Sequence, residues 1–165
     1  MAGNEHLQEL RKSEMEAVSS LFRPGLRVLE VGGGSGYQAE LLASCGCHVI
    51  SVDVADSSTH VPIHFAVHRY DGMRLPFGDQ SFDAVFSSNV LEHIAHLHEV
   101  LRETRRVVKN DGFHVHIVPS SAWRYWTIVS HYPYLLKRVL SGSKVERGQN
   151  NLAFSTLLVR KAGAT

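Results

Sequence analysis

The chain has 165 residues, and its 17 Lys and Arg residues nearly balance its 16 Asp and Glu residues, for a formal net charge of +1 at pH 7. This length fits a single domain over residues 1–165, and the charge offers no strong field to attract nucleic acid or an anionic membrane. No apolar run reaches the length of a membrane span, and the first ten residues lack the apolar stretch of a signal peptide. We therefore expect a cytoplasmic protein with no nucleic-acid partner and no stable membrane insertion.

The first third of the chain predicts a helix followed by a strand–helix–strand unit. Residues 4–22 should form an amphipathic helix, because apolar side chains recur there at helical spacing, namely Leu7, Leu10, Val18 and Leu21. Residues 26–31 are a short apolar run typical of a buried strand, and residues 37–45 are predicted to form the next helix. Residues 48–52 form a second strand that leads into Asp53, so we expect the two strands to be parallel neighbours.

The alternation of strands and helices continues more weakly after residue 54. Residues 54–64 are polar and predict one helical turn followed by a loop. Four further strands are predicted, at 66–70, 82–87, 113–118 and 153–159. A helix at 91–108 and a turn at 110–112 are predicted between the strands at 82–87 and 113–118. This alternation indicates a three-layer α/β sandwich with a mostly parallel sheet.

Glycines between the first strand and its helix form the clearest functional pattern. They occupy positions 32, 33, 34 and 36, where the chain must turn tightly and where a ligand can approach the backbone without meeting a Cβ. A dinucleotide site would need its third glycine at Tyr37, and Glu30 just before the loop would oppose a pyrophosphate. We favour a ligand loop over a plain tight turn, and Glu30 suits a positively charged amino group, met directly or through water.

Two further carboxylates end the next two predicted strands. Asp53 lies 21 residues after Gly32, a spacing that suits hydrogen bonds to both hydroxyls of a ribose, although Asp53 could also cap a helix. Asp71 could accept a hydrogen bond from an exocyclic amine, or simply begin a turn with Gly72. We favour the ligand interpretation for both. With Glu30, these carboxylates match an amino-acid tail, a ribose and an adenine, which together describe S-adenosylmethionine.

Four ordered segments resemble motifs of class I S-adenosylmethionine-dependent methyltransferases, in particular the methyltransferase type 11 domain. They are VLEVGGGSG at 28–36, VDV at 52–54, YDGMRLPFGDQSFDAVFSSNVLEHI at 70–94 and LRETRRVVKNDGFHVHIVP at 101–119. The resemblance covers residues 26–119, which would form a cofactor-binding core of Rossmann-like fold. Residues 1–25 would add an N-terminal helix, and residues 120–165 an aromatic helical segment and a terminal strand.

The resemblance implies a methyltransferase with S-adenosyl-L-methionine as its cofactor. The residues that would bind this cofactor lie at four strand ends: Glu30, Gly32, Gly33, Gly34 and Gly36 at the first, Asp53 and Val54 at the second, Asp71, Gly72 and Met73 at the third, and Ser88 and Asn89 at the fourth. Asp53 would hold the ribose hydroxyls, and Asp71 would flank the adenine. We assign no catalytic residue.

Several histidines and cysteines invite a functional interpretation, but we favour a structural one. His93 could act as a general base, yet a histidine packed under the cofactor is the simpler expectation. His114 and His116 should share one strand face, but no carboxylate of suitable spacing accompanies them, so we expect no metal site. Cys45 and Cys47 are expected to be reduced, at a helix end and at the next strand start.

The methyl acceptor is expected to be a small molecule, a sugar or a lipid-linked compound. SSNV at 87–90 replaces the N/D-P-P-Y motif of amino-methylating nucleic-acid enzymes, and the near-neutral charge also disfavours nucleic acid. The aromatic segment at 122–140 suits a lid, a membrane-surface contact, a core helix pair or, if exposed, a homodimer interface.

The chain departs from the family pattern in its short polar 54–64 segment and in an expected shortened C-terminal part. The alternative is therefore a truncated or degenerate methyltransferase-fold domain that acts as a binding or interaction module without catalysis.

Overall fold

The computed structural model describes residues 2–54, 63–120 and 155–161, with side chains described for residues 8–54 and 63–120. Three helices occur in these ranges: α1 (Ala2–Val18), α2 (Tyr37–Ser44) and α3 (Leu97–Val107). Six strands accompany them: β1 (Arg27–Val31), β2 (His48–Val54), β3 (Val67–Tyr70), β4 (Phe82–Ser88), β5 (Val108–Pro119) and β6 (Ser155–Lys161). Short 3₁₀ turns cover Ser19–Leu21 and Leu91–His93.

The six strands form one sheet in the order β3-β2-β1-β4-β5-β6. The first five are parallel, and β6 runs antiparallel to β5. The chain moves outward from β1 to β3 and then returns to place β4 on the other side of β1. The carboxyl ends of β1 and β4 therefore meet at the switch point of the sheet, where open α/β sheets bind their ligands.

Two apolar cores cover the two faces of this sheet. On one face, Met15 and Val18 of α1 and Leu42 of α2 pack against Val28 and Phe86 of the strands. On the other face, strand residues pack with the end of α3, and this core contains Leu29, Val31, Val52, Val85 and Val107. Neighbouring residues of β1 alternate between the two cores, as the pleat of a strand requires. The predicted three-layer Rossmann-like sandwich is confirmed.

The predicted helix over residues 91–108 is wrong in its first part. A 3₁₀ turn occupies Leu91–His93, Ile94 then takes an extended conformation with φ −85° and ψ 116°, and α3 begins only at Leu97. The stripe of α3 that packs on the sheet starts at Val100 and repeats at helical spacing from there. The residues before this stripe do not continue it, because residues 94–96 line a cavity instead.

The predicted turn at 110–112 is a bulge within β5. Val108 pairs with Phe82, and the next pair joins Phe113 to Ala84, so the intervening residues of β5 have no matching partners on β4. Gly112 permits this bulge because a Cβ there would lie 2.6 Å from the Asp83 carbonyl oxygen.

Other predictions have separate outcomes. Cys45 and Cys47 are free thiols at the end of α2 and the start of β2, as expected. None of the described helices is long and apolar enough to cross a membrane. Residues 55–62 and 121–154 lie outside the described residues, so the predictions for the polar segment and for the aromatic segment at 122–140 stay predictions.

Candidate functional site

The glycine loop, residues 32–36, connects β1 to α2 at the carboxyl edge of the sheet. The backbone N–H groups of Gly32 and Gly33 both donate to the Val52 carbonyl oxygen, at 2.8 and 3.1 Å. Gly32 has φ +82°, and a Cβ at this position would overlap the side chain of Val90. Position 32 therefore needs glycine for its backbone conformation and for the close approach of Val90.

Glu30 lies beneath the glycine loop and is only 2% exposed. Ser51 Oγ donates to its Oε2 at 2.5 Å, and a Cβ on Gly33 would come within 2.9 Å of the same oxygen. Burial raises the pKa of Glu30 to about 7; the Ser51 hydrogen bond opposes this rise, and the charge of Asp53 adds to it. The carboxyl group therefore supports the loop from below, and its burial favours the protonated form.

Asp53 joins the end of β2 to the glycine loop. Its Oδ2 accepts the Gly34 N–H at 2.7 Å, and its Oδ1 accepts the Val54 N–H at 2.7 Å. A carboxylate oxygen has two lone pairs, so each oxygen retains acceptor capacity for another donor. Asp53 can hold the loop and receive hydroxyl groups at the same time.

Asp71 forms the turn that follows β3. Its Oδ1 accepts the N–H groups of Met73 and Arg74, each at 2.8 Å, and Gly72 in between has φ +78°. These backbone hydrogen bonds, that of Arg74 most strongly, lower the pKa of Asp71. Asp71 therefore begins a turn with Gly72, which was the structural alternative to ligand binding. Asp71 also borders the cavity described next.

A cavity of about 570 Å³ opens at the carboxyl ends of β1 to β4. This volume falls within the usual range for small-molecule sites, roughly 300–1,000 Å³. Seven of the predicted residues line it: Gly32, Asp53, Val54, Asp71, Gly72, Met73 and Asn89. None of its described lining residues is Lys or Arg, so a phosphate group would meet no lysine or arginine there.

The five other predicted residues are not among those that line the cavity. Glu30 lies beneath the loop, and a Cβ on Gly33 would meet Glu30 and Ser51 there. A Cβ on Gly36 would overlap the backbone of Phe65. At Gly34 a Cβ would meet open space. Ser88 is buried beside α1 rather than in the cavity.

The cavity also has lining residues that the sequence interpretation did not include. They are Val31, Tyr70, Val90, Ile94, Ala95 and His96. Val31, Tyr70 and Val90 adjoin predicted site residues at strand ends, a signal that could have found them. The last three depend on the break before α3, which no local pattern indicates. His93 lies at the rim with 78% of its side chain exposed, and its packing under a cofactor stays a prediction.

A polar cluster at the end of β4 was also missed. Glu14 of α1, 7% exposed, accepts hydrogen bonds from Ser88 Oγ and Arg11 Nη1, both at 2.9 Å, through its Oε2. Its Oε1 accepts from Asn89 Nδ2 at 3.0 Å, and Gln38 Nε2 of α2 lies 3.5 Å from Oε2. We call these five residues the Glu14 cluster. Its members come from three separate elements, so no sequence spacing reveals it.

Two further polar groups have structural contacts. His116 Nδ1 lies 2.8 Å from Ser87 Oγ, and burial, with a smaller effect of His114, lowers the pKa of His116 to about 4. Its ring lies beside that of His114, on the same face as predicted. Within the described residues, no group of three His, Cys, Asp or Glu side chains could hold a metal ion. Asp83, at the opposite end of β4, accepts from Arg27 N at 2.7 Å and Lys109 Nζ at 2.6 Å, a structural role.

Known proteins match the core of the chain. A model of the methyltransferase domain family matches residues 29–116, more than half of the chain. An uncharacterized methyltransferase of Mycobacterium marinum is 37% identical over 97 residues, 55% of this chain and 38% of that protein. A demethylmenaquinone methyltransferase of Corynebacterium urealyticum is 34% identical over 114 residues, 62% of this chain and 48% of that protein. The chain thus spans about a third to a half of the curated relatives that it matches.

Solved structures show the same fold. A SAM dependent methyltransferase from Aquifex aeolicus has a TM-score of 0.55 and 19% identity, over 70% of this chain and 77% of that one. The YcgJ protein of Bacillus subtilis has a TM-score of 0.55 and 24% identity, over 81% of this chain and 58% of that one. With the family match over residues 29–116, the resemblance predicted from the motifs is confirmed, and the chain belongs to the methyltransferase domain family.

Proposed function

We propose that the chain binds S-adenosyl-L-methionine in the cavity at the carboxyl ends of β1 to β4. We further propose that it transfers the methyl group to a small-molecule, sugar or lipid-linked acceptor. The observation that carries this proposal is the meeting of Gly32, Asp53, Asp71 and Asn89 around one cavity of about 570 Å³.

The chemistry of the cavity wall suits this cofactor. Asp53 and Asp71 provide carboxylate acceptors, and the cofactor offers ribose hydroxyls and an adenine amine as donors. Val54 and Met73 are 47% and 49% exposed, which leaves apolar surface beside these acceptors for an adenine ring. Tyr37 stands where a dinucleotide-binding loop needs its third glycine, which disfavours a nicotinamide dinucleotide.

The roles of the protein groups follow from their positions. Asp53 would hold the ribose hydroxyls while it keeps the Gly34 amide in place. Asn89, at the end of β4, would lie beside the methionyl end, with Ser88 behind it. When bound, the cofactor supplies a methyl group on a sulfonium, and the neutral thioether that this group leaves behind is a good leaving group. The protein then needs to align the acceptor with that methyl group and to exclude water. We assign no catalytic residue.

Calorimetric titration with S-adenosylhomocysteine tests the cofactor proposal. We expect micromolar binding by the wild-type protein and at least tenfold weaker binding by Asp53→Ala, which removes the ribose acceptors. Asp83→Asn is the matched control, because Asp83 lies at the opposite end of β4, and it should bind like the wild type. No binding by a folded wild-type protein would overturn the proposal and favour an interaction module without catalysis.

A panel of acceptors with a radiolabelled methyl donor tests the second step. We expect labelled product from a small molecule, a sugar or a lipid-linked compound. Transfer to DNA or protein alone would contradict the proposed acceptor class while leaving the cofactor site intact.

A further inference from the structure

Glu14 is a charged residue that the fold places in a buried position. The docking of α1 onto the sheet already has apolar contacts, since Met15, Val18 and Phe22 are all buried in the core on that face. A buried ion pair adds little stability over an apolar residue of similar size. Docking alone therefore gives no physical reason for the Arg11–Glu14 pair, whose side chains are 23% and 5% exposed.

The partners of Glu14 indicate a more specific role. Glu14 Oε1 accepts from Asn89 Nδ2, and Glu14 Oε2 accepts from Ser88 Oγ, so the carboxylate holds the two residues at the end of β4. Arg11 Nη1 donates both to Glu14 Oε2 and to Ser88 Oγ, each at 2.9 Å, and completes the arrangement. Hydrogen bonds to a charged group are stronger and more directional than neutral ones.

Asn89 has a backbone conformation that sets the turn after β4. Its φ of +52° lies in the left-handed region, which asparagine adopts more readily than other non-glycine residues. Its N–H donates to the Ile117 carbonyl oxygen at 2.8 Å, and its side chain donates to Glu14 and to Ser88 Oγ, each at 3.0 Å. The main chain therefore turns sharply at Asn89, between β4 and the segment that follows.

This turn forms part of the cavity wall. Asn89 and Val90 both line the cavity, and the Val90 side chain occupies the space that a Cβ on Gly32 would need. A shift of Asn89 would move Val90 against the glycine loop. A chain of direct contacts thus connects Glu14 through Asn89 and Val90 to Gly32.

We propose that Glu14 is a positioning residue of the cofactor site, which acts by holding the Asn89 side chain and so fixes the cavity wall beside the glycine loop. This inference rests on the proposed function, because the cofactor site is what Glu14 would position. It assigns a role in the site to α1, which precedes the matched segment 29–116.

Titration of Glu14→Gln with S-adenosylhomocysteine tests this role. Glutamine keeps the size of the side chain but loses the charge, so we expect binding about tenfold weaker than in the wild type. Asp83→Asn is the control, because it also neutralises a hydrogen-bonded carboxylate, but one that pairs with Lys109 at the far end of β4. Binding by Glu14→Gln as tight as by Asp83→Asn would overturn the inference.

A double-mutant cycle with Asn89→Gly separates a positioning effect from general loosening. Glycine accepts a positive φ but has no side chain to reach Glu14. If Glu14 acts through Asn89, adding Glu14→Gln to Asn89→Gly should weaken binding no further. A second tenfold loss in that background would contradict the proposed route. Should Glu14→Gln fail to fold, Asn89→Gly alone decides, and wild-type affinity in that variant would overturn the inference.

The same titrations distinguish this inference from the proposed function. Absence of binding by the wild-type protein overturns both the cofactor site and the role of Glu14 in it. Wild-type binding that Glu14→Gln leaves unchanged overturns the role of Glu14 alone.

Discussion

The glycine loop and the end of β4 adjoin at the carboxyl edge of the sheet, where Val90 lies against Gly32, and each covers one buried carboxylate. Beneath the loop, Glu30 accepts a hydrogen bond from Ser51, and burial raises its pKa to about 7. At the end of β4, Glu14 has an arginine, a hydroxyl and an amide as donors. Burial shifts the Glu30 carboxyl group towards its neutral, protonated form, whereas hydrogen-bond donors surround the Glu14 carboxylate.

The two regions also differ in the sequence range of their contacts. Most hydrogen bonds of the loop come from one strand–helix–strand unit, such as that between Gly34 and Asp53, 19 residues apart. The end of β4 is held by partners as distant as Arg11 and Ser88, 77 residues apart. The loop should therefore depend on backbone conformation, whereas the end of β4 should depend on side chains from α1.

The largest expected effect is on the backbone of the loop. Gly32→Ala should lower the free energy of unfolding by about 3–4 kcal/mol, because it adds overpacking against Val90 to the strain of a positive φ. Gly34→Ala shares the positive φ but meets open space, so it should cost only about 1–2 kcal/mol. Urea unfolding of the two variants measures the difference. Equal losses would show that the loop and Val90 do not constrain each other.

The next effect concerns the proton on Glu30. A carboxyl group whose pKa is raised on folding stabilises the folded state fully below its unfolded pKa, near 4.5, and loses that contribution as the pH rises through about 7. Glu30→Gln, which is always neutral, should therefore gain about 2–3 kcal/mol of stability relative to the wild type between pH 5 and pH 8.

Urea unfolding of both proteins at pH 5 and pH 8 measures this gain. His116 has a lowered pKa, and its contribution changes in the opposite direction, being lost as the pH falls from its unfolded value towards about 4. It is present in both proteins and cancels in their difference. A difference independent of pH would mean that Glu30 is charged throughout, like an ordinary surface carboxylate.

A smaller effect is expected from the Glu14 cluster. Arg11→Met keeps much of the side-chain length but leaves Glu14 without its cation, so it should cost about 2 kcal/mol. Lys12→Met, at the exposed neighbouring position of α1, should change stability by less than about 0.5 kcal/mol. Thermal unfolding followed by circular dichroism compares the two. Similar stabilities would show that the buried Glu14 carboxylate does not depend on the charge of Arg11.

The sequence predicted the cavity lining best at the ends of β2 and β3, where all five predicted residues line it, whereas Gly32 alone does so among the five predicted at the end of β1. The glycines, Asp53 and Asp71 follow apolar strands at short spacings, so residue type and periodicity were enough to place them at one edge. The roles of Ser88 and Asn89 depend on α1, whose apolar spacing gave no sign of Glu14. The break at Ile94 is also a tertiary effect, because the apolar residues there continue a helical pattern and yet belong to the cavity wall.

The central claim is that S-adenosylmethionine binds in the cavity that both regions border. Amide ¹H–¹⁵N spectra during titration with S-adenosylhomocysteine test it most directly, because the glycines of the chain report on both edges of the sheet. The account predicts shifts at Gly32, Gly72 and Asn89 on the cavity, and none at Gly25 and Gly46, which are hydrogen-bonded to each other at the opposite edge. Unchanged spectra, or equal shifts at both edges, would contradict it.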